Sequence, residues 1–147
     1  MNQEQVQQSF KALIISAGAT VAEDIQACLA EFPAFAAPTV CSSGVSGLQV
    51  IAAERPDLVL VVAPPPDRML SHVIKEARKR HAGVRVVVVA NWTEFAGAAR
   101  ASHKRADGFI STRLLHRELP LVLAQFPVLA AHWGDRFSPW KGGYGMA

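Results

Sequence analysis

Short runs of β-branched residues alternate along this chain with stretches whose apolar residues recur every three or four positions. The first pattern predicts strands and the second predicts amphipathic helices. Residues 11–16 (KALIIS) predict a first strand. Val21, Ile25, Cys28, Leu29 and Phe32 then share a helical face, with Glu23, Asp24 and Gln26 opposite. Thr20 and Glu23 have the spacing of a capping box, and Pro33 is expected to stop the helix. Residues 39–42 predict a short second strand, and Val45, Leu48, Ile51 and Ala52 a second helix that Pro56 ends. Residues 57–63 (DLVLVVA) predict a third strand. Its apolar run is unbroken, as in a strand covered on both faces. Pro64, Pro65 and Pro66 lack an amide hydrogen, so the strand stops there. Met69, Val73, Ile74 and Ala77 mark a third helix, with Lys75, Glu76, Arg78 and Lys79 on its outer face. Residues 84–90 (VRVVVVA) carry the strongest strand signal. Residues 95–103 predict a fourth helix, 108–112 a fifth strand and 114–126 a fifth helix. Pro120 is tolerable in that last helix only within its first turn.

Five strand–helix units in strict alternation predict an α/β fold: a five-stranded parallel sheet, doubly wound, with helices on both faces. A length of 147 residues suits one domain, here 11–126, with a polar N-terminal extension over 1–10 and an aromatic, glycine-rich tail over 127–147. Half of the residues are hydrophobic and 18% are charged, which excludes a disordered chain. The net charge of +3 is too mild to argue for nucleic acid. No run approaches the ~20 apolar residues of a membrane span, and the Gln-rich start lacks the order of a signal peptide. Cys28 and Cys41 form no CxxC motif and are expected as buried free thiols, which fits a reducing, cytoplasmic setting. His72, His81, His103, His116 and His132 are dispersed without metal-ligand spacing and read as surface residues. Neither a metal nor a cofactor is expected.

The most specific stretch is residues 54–67 (ERPDLVLVVAPPPD), with Pro56-Asp57 before the third strand and Pro66-Asp67 just after it. Residues 106–110 (ADGFI) lead into the fifth strand, and Ser42-Ser43-Gly44 into the second helix. In these features the chain resembles the receiver domains of two-component response regulators over roughly residues 11–126. The resemblance implies a CheY-like, flavodoxin-like sheet of order 2-1-3-4-5. It also implies where an active site would stand. A working receiver has a phosphoacceptor aspartate at the end of strand three, where this chain has Val62. It has an acidic pair after strand one to hold Mg²⁺, where this chain has Ser16 and Ala17. A hydroxyl closes strand four and a lysine closes strand five, where this chain has Ala90 and Thr112. Valine cannot form an acyl phosphate, and without carboxylates nothing holds the metal or neutralises phosphoryl charge. No nucleophile–base pair suggests another enzyme.

The expected role is therefore a phosphorylation-independent pseudo-receiver, a protein–protein interaction module in bacterial signalling or regulation. In the family the partner surface lies around helix four, strand five and helix five. Here Trp92 and Phe95 follow strand four, and Phe109 and Arg113 belong to strand five and its exit. Phe109 matches the aromatic that swings in receivers, and a static core role is the simpler reading. Trp92 suits a hot spot or packing on its own domain. Trp133 and Trp140, with Phe137 and Tyr144, make the tail either a docking segment or a lid. A protein partner is expected, a homodimer stays open, and neither nucleic acid nor membrane is expected. Arg78-Lys79-Arg80 and Lys104-Arg105 read as cations complementing helix C-termini. Gly18 in SAGAT lacks both the GxGxxG pattern and a Walker lysine. The alternative is a sensor of a small neutral ligand at the carboxyl ends of the strands, lined by Ser16, Ala17, Ala63, Pro64, Ala90, Asn91 and Thr112.

Overall fold

The computed structural model describes residues 10–63, 70–91 and 106–126. Five strands, β1 (Ala12–Ile15), β2 (Thr39–Cys41), β3 (Leu58–Ala63), β4 (Arg85–Ala90) and β5 (Gly108–Ser111), form one sheet in the order β2-β1-β3-β4-β5. All four pairings are parallel. The described helices are α1 (Ala19–Leu29), α2 (Gly44–Glu54), α3 (Leu70–Arg80) and α4 (Leu115–Leu123). This is the doubly wound α/β architecture that the alternation of patterns predicts. The helix expected over residues 95–103, the tail and the proline run lie outside the described residues.

Successive strand side chains point to opposite faces, and the unbroken apolar runs fill both. Ala12, Ile14, Leu58, Leu60, Val87 and Val89 face α1 and α4, where they meet Ile25, Leu29, Leu119 and Leu123. Leu13, Ile15, Val59, Val61, Val86 and Val88 face the other way, onto Ile51 of α2 and Val73, Ile74 and Ala77 of α3. Gly47 lets α2 lie close on β1: a Cβ there would stand 2.8 Å from Ile15 Cγ1 and nearer still to its Cδ1. At the sheet's margin Phe10 pairs with Phe35, their ring centroids 5.8 Å apart.

Several boundaries differ from the sequence-based expectation. Helix α1 has no capping box at Thr20 and Glu23; its N-cap is Gly18, with no side-chain cap. The Ser16 hydroxyl accepts from the Gly18 amide at 3.2 Å and donates to its carbonyl at 2.8 Å. That tight turn starts the helix early and leaves Thr20 inside it. The helix also ends at Leu29, ahead of Pro33, as the chain turns to bury Phe32. Pro120 lies in the second turn of α4 rather than the first. Burial of Leu115, Leu119, Val122 and Leu123 on the sheet outweighs the lost backbone bond. Thr112 has left β5 and opens a 3-10 turn over Thr112–Leu114. Cys28 is buried but Cys41 is only half-buried, because β2 is an edge strand. Both cysteines are free. His72 and His116 are exposed, whereas His81 is half-buried with Nε2 3.4 Å from Asp57 Oδ1. No helix among the described residues is long and apolar enough to cross a membrane.

Candidate functional site

Parallel strands present their carboxyl ends at one edge of the sheet, where such folds bind ligands. Register brings the residues of interest there. Ile15 pairs with Val61, so Ser16 follows beside Val62; Ala90 pairs with both Ala63 and Ser111, and Thr112 follows. Ser16 is buried and Ala90 fully so, Val62 and Thr112 are half-buried, and Ala17 is exposed. Val62 packs against the α1–α4 face of the core. The Ser16 hydroxyl is committed to the Gly18 turn, and its amide donates to the Cys41 carbonyl at 2.8 Å. None of these five side chains is a carboxylate or an amine.

One carboxylate near this edge was not anticipated. Glu118, in the first turn of α4, accepts the Ser111 amide through Oε1 at 2.8 Å. The Ser111 hydroxyl accepts the Arg113 amide at 3.2 Å. These bonds close the end of β5. Their sequence signal was the serine ahead of a helix that carries an early glutamate. Among the described residues no group of three or more His, Cys, Asp or Glu side chains could hold a metal ion.

The opposite edge holds an organised polar network among the described residues. Asp57 precedes β3; its Oδ2 accepts the Lys11 amide at 3.0 Å, and its carbonyl accepts the Arg85 amide at 2.9 Å. Asp107 precedes β5; its Oδ2 accepts the Val86 amide at 2.7 Å and pairs with Arg78 at 3.0 Å. The Pro-Asp and Ala-Asp-Gly motifs that carried the resemblance thus act, in these two places, as clamps between strand starts.

Of the residues expected on a partner surface, Phe109 is half-buried on edge strand β5 and packs on the α2–α3 side of the core. Arg113 is exposed in the turn that follows, beside Leu114, which is 43% exposed. The structure brings these two to one margin of the sheet. Trp92, Phe95, Trp133 and Trp140 lie outside the described residues.

Solved structures that superpose on this chain include receiver domains. The response regulator domain of Thermotoga maritima CheB superposes with a TM-score of 0.68 at 18% identity, covering 80% of this chain and 96% of that one. A CheY-like receiver domain protein from Methanospirillum hungatei gives 0.64 at 19% identity, covering 84% and 96%. The signal receiver domain of an HD domain-containing protein from Pseudomonas fluorescens gives 0.67 at 16% identity, covering 88% and 93%. The fold is a CheY-like receiver fold. Identities this low speak for the fold alone. No family model matches the chain, and no curated protein matches its sequence.

Proposed function

We propose that this chain is a pseudo-receiver that works by binding a protein partner, without phosphorylation, in bacterial signalling or regulation. The observation that carries the reading is the joint identity of five positions: Ser16, Ala17, Val62, Ala90 and Thr112 stand where phosphotransfer needs acids, a hydroxyl and a lysine. Phosphoryl transfer relies on a metal and fixed charges to stabilise its transition state, and these side chains supply neither. The margin around Phe109, Arg113 and Leu114 is the proposed contact surface, and Trp92, Phe95 and the aromatic tail are further candidates on sequence grounds alone. The neutral-ligand alternative gains no polar anchor from Ser16, whose hydroxyl is held by its own turn.

Incubation with Mg²⁺ and a small-molecule phosphodonor tests the chemical half of the reading. Intact-mass measurement is expected to show no added phosphoryl group, and addition of one would overturn the proposal. For the binding half, partner capture from the native cell is expected to be equal with and without beryllofluoride and Mg²⁺. Capture that depends on the phosphate mimic would argue for a working switch.

A further inference from the structure

A groove of about 540 Å³ opens between the end of α2 and the outer face of α3, lined by Ala52, Arg55, Glu76, Lys79 and Arg80. It lies towards the amino ends of the strands, since α2 and α3 lead into β3 and β4. It is open to solvent, and Ala52, Arg55, Lys79 and Arg80 in its lining are exposed. Three cations and one carboxylate leave the lining with two net positive charges. Glu76 reaches both Lys79, at 3.5 Å, and Arg80, at 3.8 Å, and so holds these two side chains along one wall. The Arg55 guanidinium on the other wall has no ion pair among the described residues.

The backbone of Arg55 is a second, independent observation. It has φ 50° and ψ 63°, the positive φ of a left-handed residue, and among described non-glycine residues no other has one. Helices that end this way use glycine, or sometimes asparagine, which tolerate that region. Arg55 also precedes Pro56, a place that favours extended backbone. A cation that merely complements a helix dipole can stand anywhere in the last turn and needs no strained backbone. Strain held at one residue points to a use for its side chain.

We propose that this groove binds the dianion of a phosphomonoester, gripped by Arg55 from one side and by Lys79 and Arg80 from the other. A guanidinium matches phosphate oxygens in a two-point fork, and lysine adds a point charge. Two net charges in the lining match a dianion rather than a monoanion. The ester is carried either by a phosphorylated side chain of a partner or by a free metabolite. The site is separate from the carboxyl ends of the strands and does not depend on the pseudo-receiver reading.

The test is an amide NMR titration of the full chain with phenyl phosphate, a dianion, and phenyl sulfate, a monoanion of similar shape. Saturable shifts are expected around residues 52–55 and 76–80, with phenyl sulfate weaker by about tenfold, as the loss of one negative charge opposite Arg55, Lys79 and Arg80 implies. Arg55→Gly relieves the backbone and should fold at least as stably, yet weaken phenyl phosphate by about tenfold or more. Equal affinity for the two esters, or unchanged affinity in Arg55→Gly, overturns the proposal, as does the absence of saturable shifts. A phosphoserine peptide separates the sources: tighter binding than phenyl phosphate assigns the site to a phosphorylated protein, and equal binding to a free ester.

Discussion

Cys28 shows how burial can silence a reactive group. Its thiol packs among Ala22, Ile25 and Leu29, with Sγ 3.3 Å from Nδ1 of His116. A histidine beside a cysteine invites a nucleophile reading, but desolvation, helped by the charges of Glu31 and Asp24, pushes the thiol up to about 11. At neutral pH it is protonated, so the pair joins α1 to α4 and does not activate sulfur. Linkage gives a consequence for stability. Below the ordinary thiol value of 9.0 both folded and unfolded chains hold the proton, and the full stability is present. As pH rises from there towards about 11, the unfolded thiol ionises first and stability is lost. Urea unfolding of the wild type should therefore weaken across that window more than that of Cys28→Ser, which has no thiol to ionise. Parallel pH profiles for the two proteins would refute this account.

At the scale of elements, strands were the most legible part of the chain. Runs such as residues 84–90 carry β-branched side chains at nearly every position, and both faces of the sheet are covered, so the pattern has little else to become. Helix ends were less legible because they are decided by contacts outside the helix. The Ser16–Gly18 turn moves the start of α1, and the burial of Phe32 moves its end. Helix α4 is the sharpest case. A proline in a helix interior is ~3 kcal/mol less favourable than alanine, yet α4 continues through Pro120, whose carbonyl accepts the Ala124 amide at 3.0 Å. Four core residues on one face hold it. Pro120→Ala should restore the missing amide bond, offset by the ~0.4–1 kcal/mol that proline contributes by restricting the unfolded chain. A net gain of roughly 2–2.6 kcal/mol is expected from denaturant unfolding. A loss of stability would mean that the proline's own packing, rather than the helix face, keeps α4 in place.

For the whole molecule, the two edges of the sheet divide the labour. The amino edge keeps Asp57 and Asp107 as strand clamps, and these residues made the fold recognisable. The groove at that edge was not legible, because Arg55 and Lys79 meet only through the crossover from α2 by way of β3 to α3. The carboxyl edge was legible position by position, since register follows from the strand runs, but its meaning is collective. Residues from β1, β3, β4 and β5 converge there, and phosphoryl transfer would need all of them at once. Restoring one should therefore restore nothing. Val62→Asp puts a carboxylate beside the α1–α4 core, while Ser16, Ala17 and Thr112 still stand in place of the acidic pair and the lysine. Burying part of that charge should cost roughly 1–3 kcal/mol of stability. With Mg²⁺ and a phosphodonor, the variant should still gain no phosphoryl mass. Adding acids at Ser16 and Ala17 in the same chain should bring Mg²⁺ binding, seen as Mg²⁺-dependent amide shifts at the ends of β1 and β3, because oxygen ligands are what that cation demands. Phosphorylation of Val62→Asp alone would show that the edge is one residue away from chemistry, and would defeat the view that its function is binding.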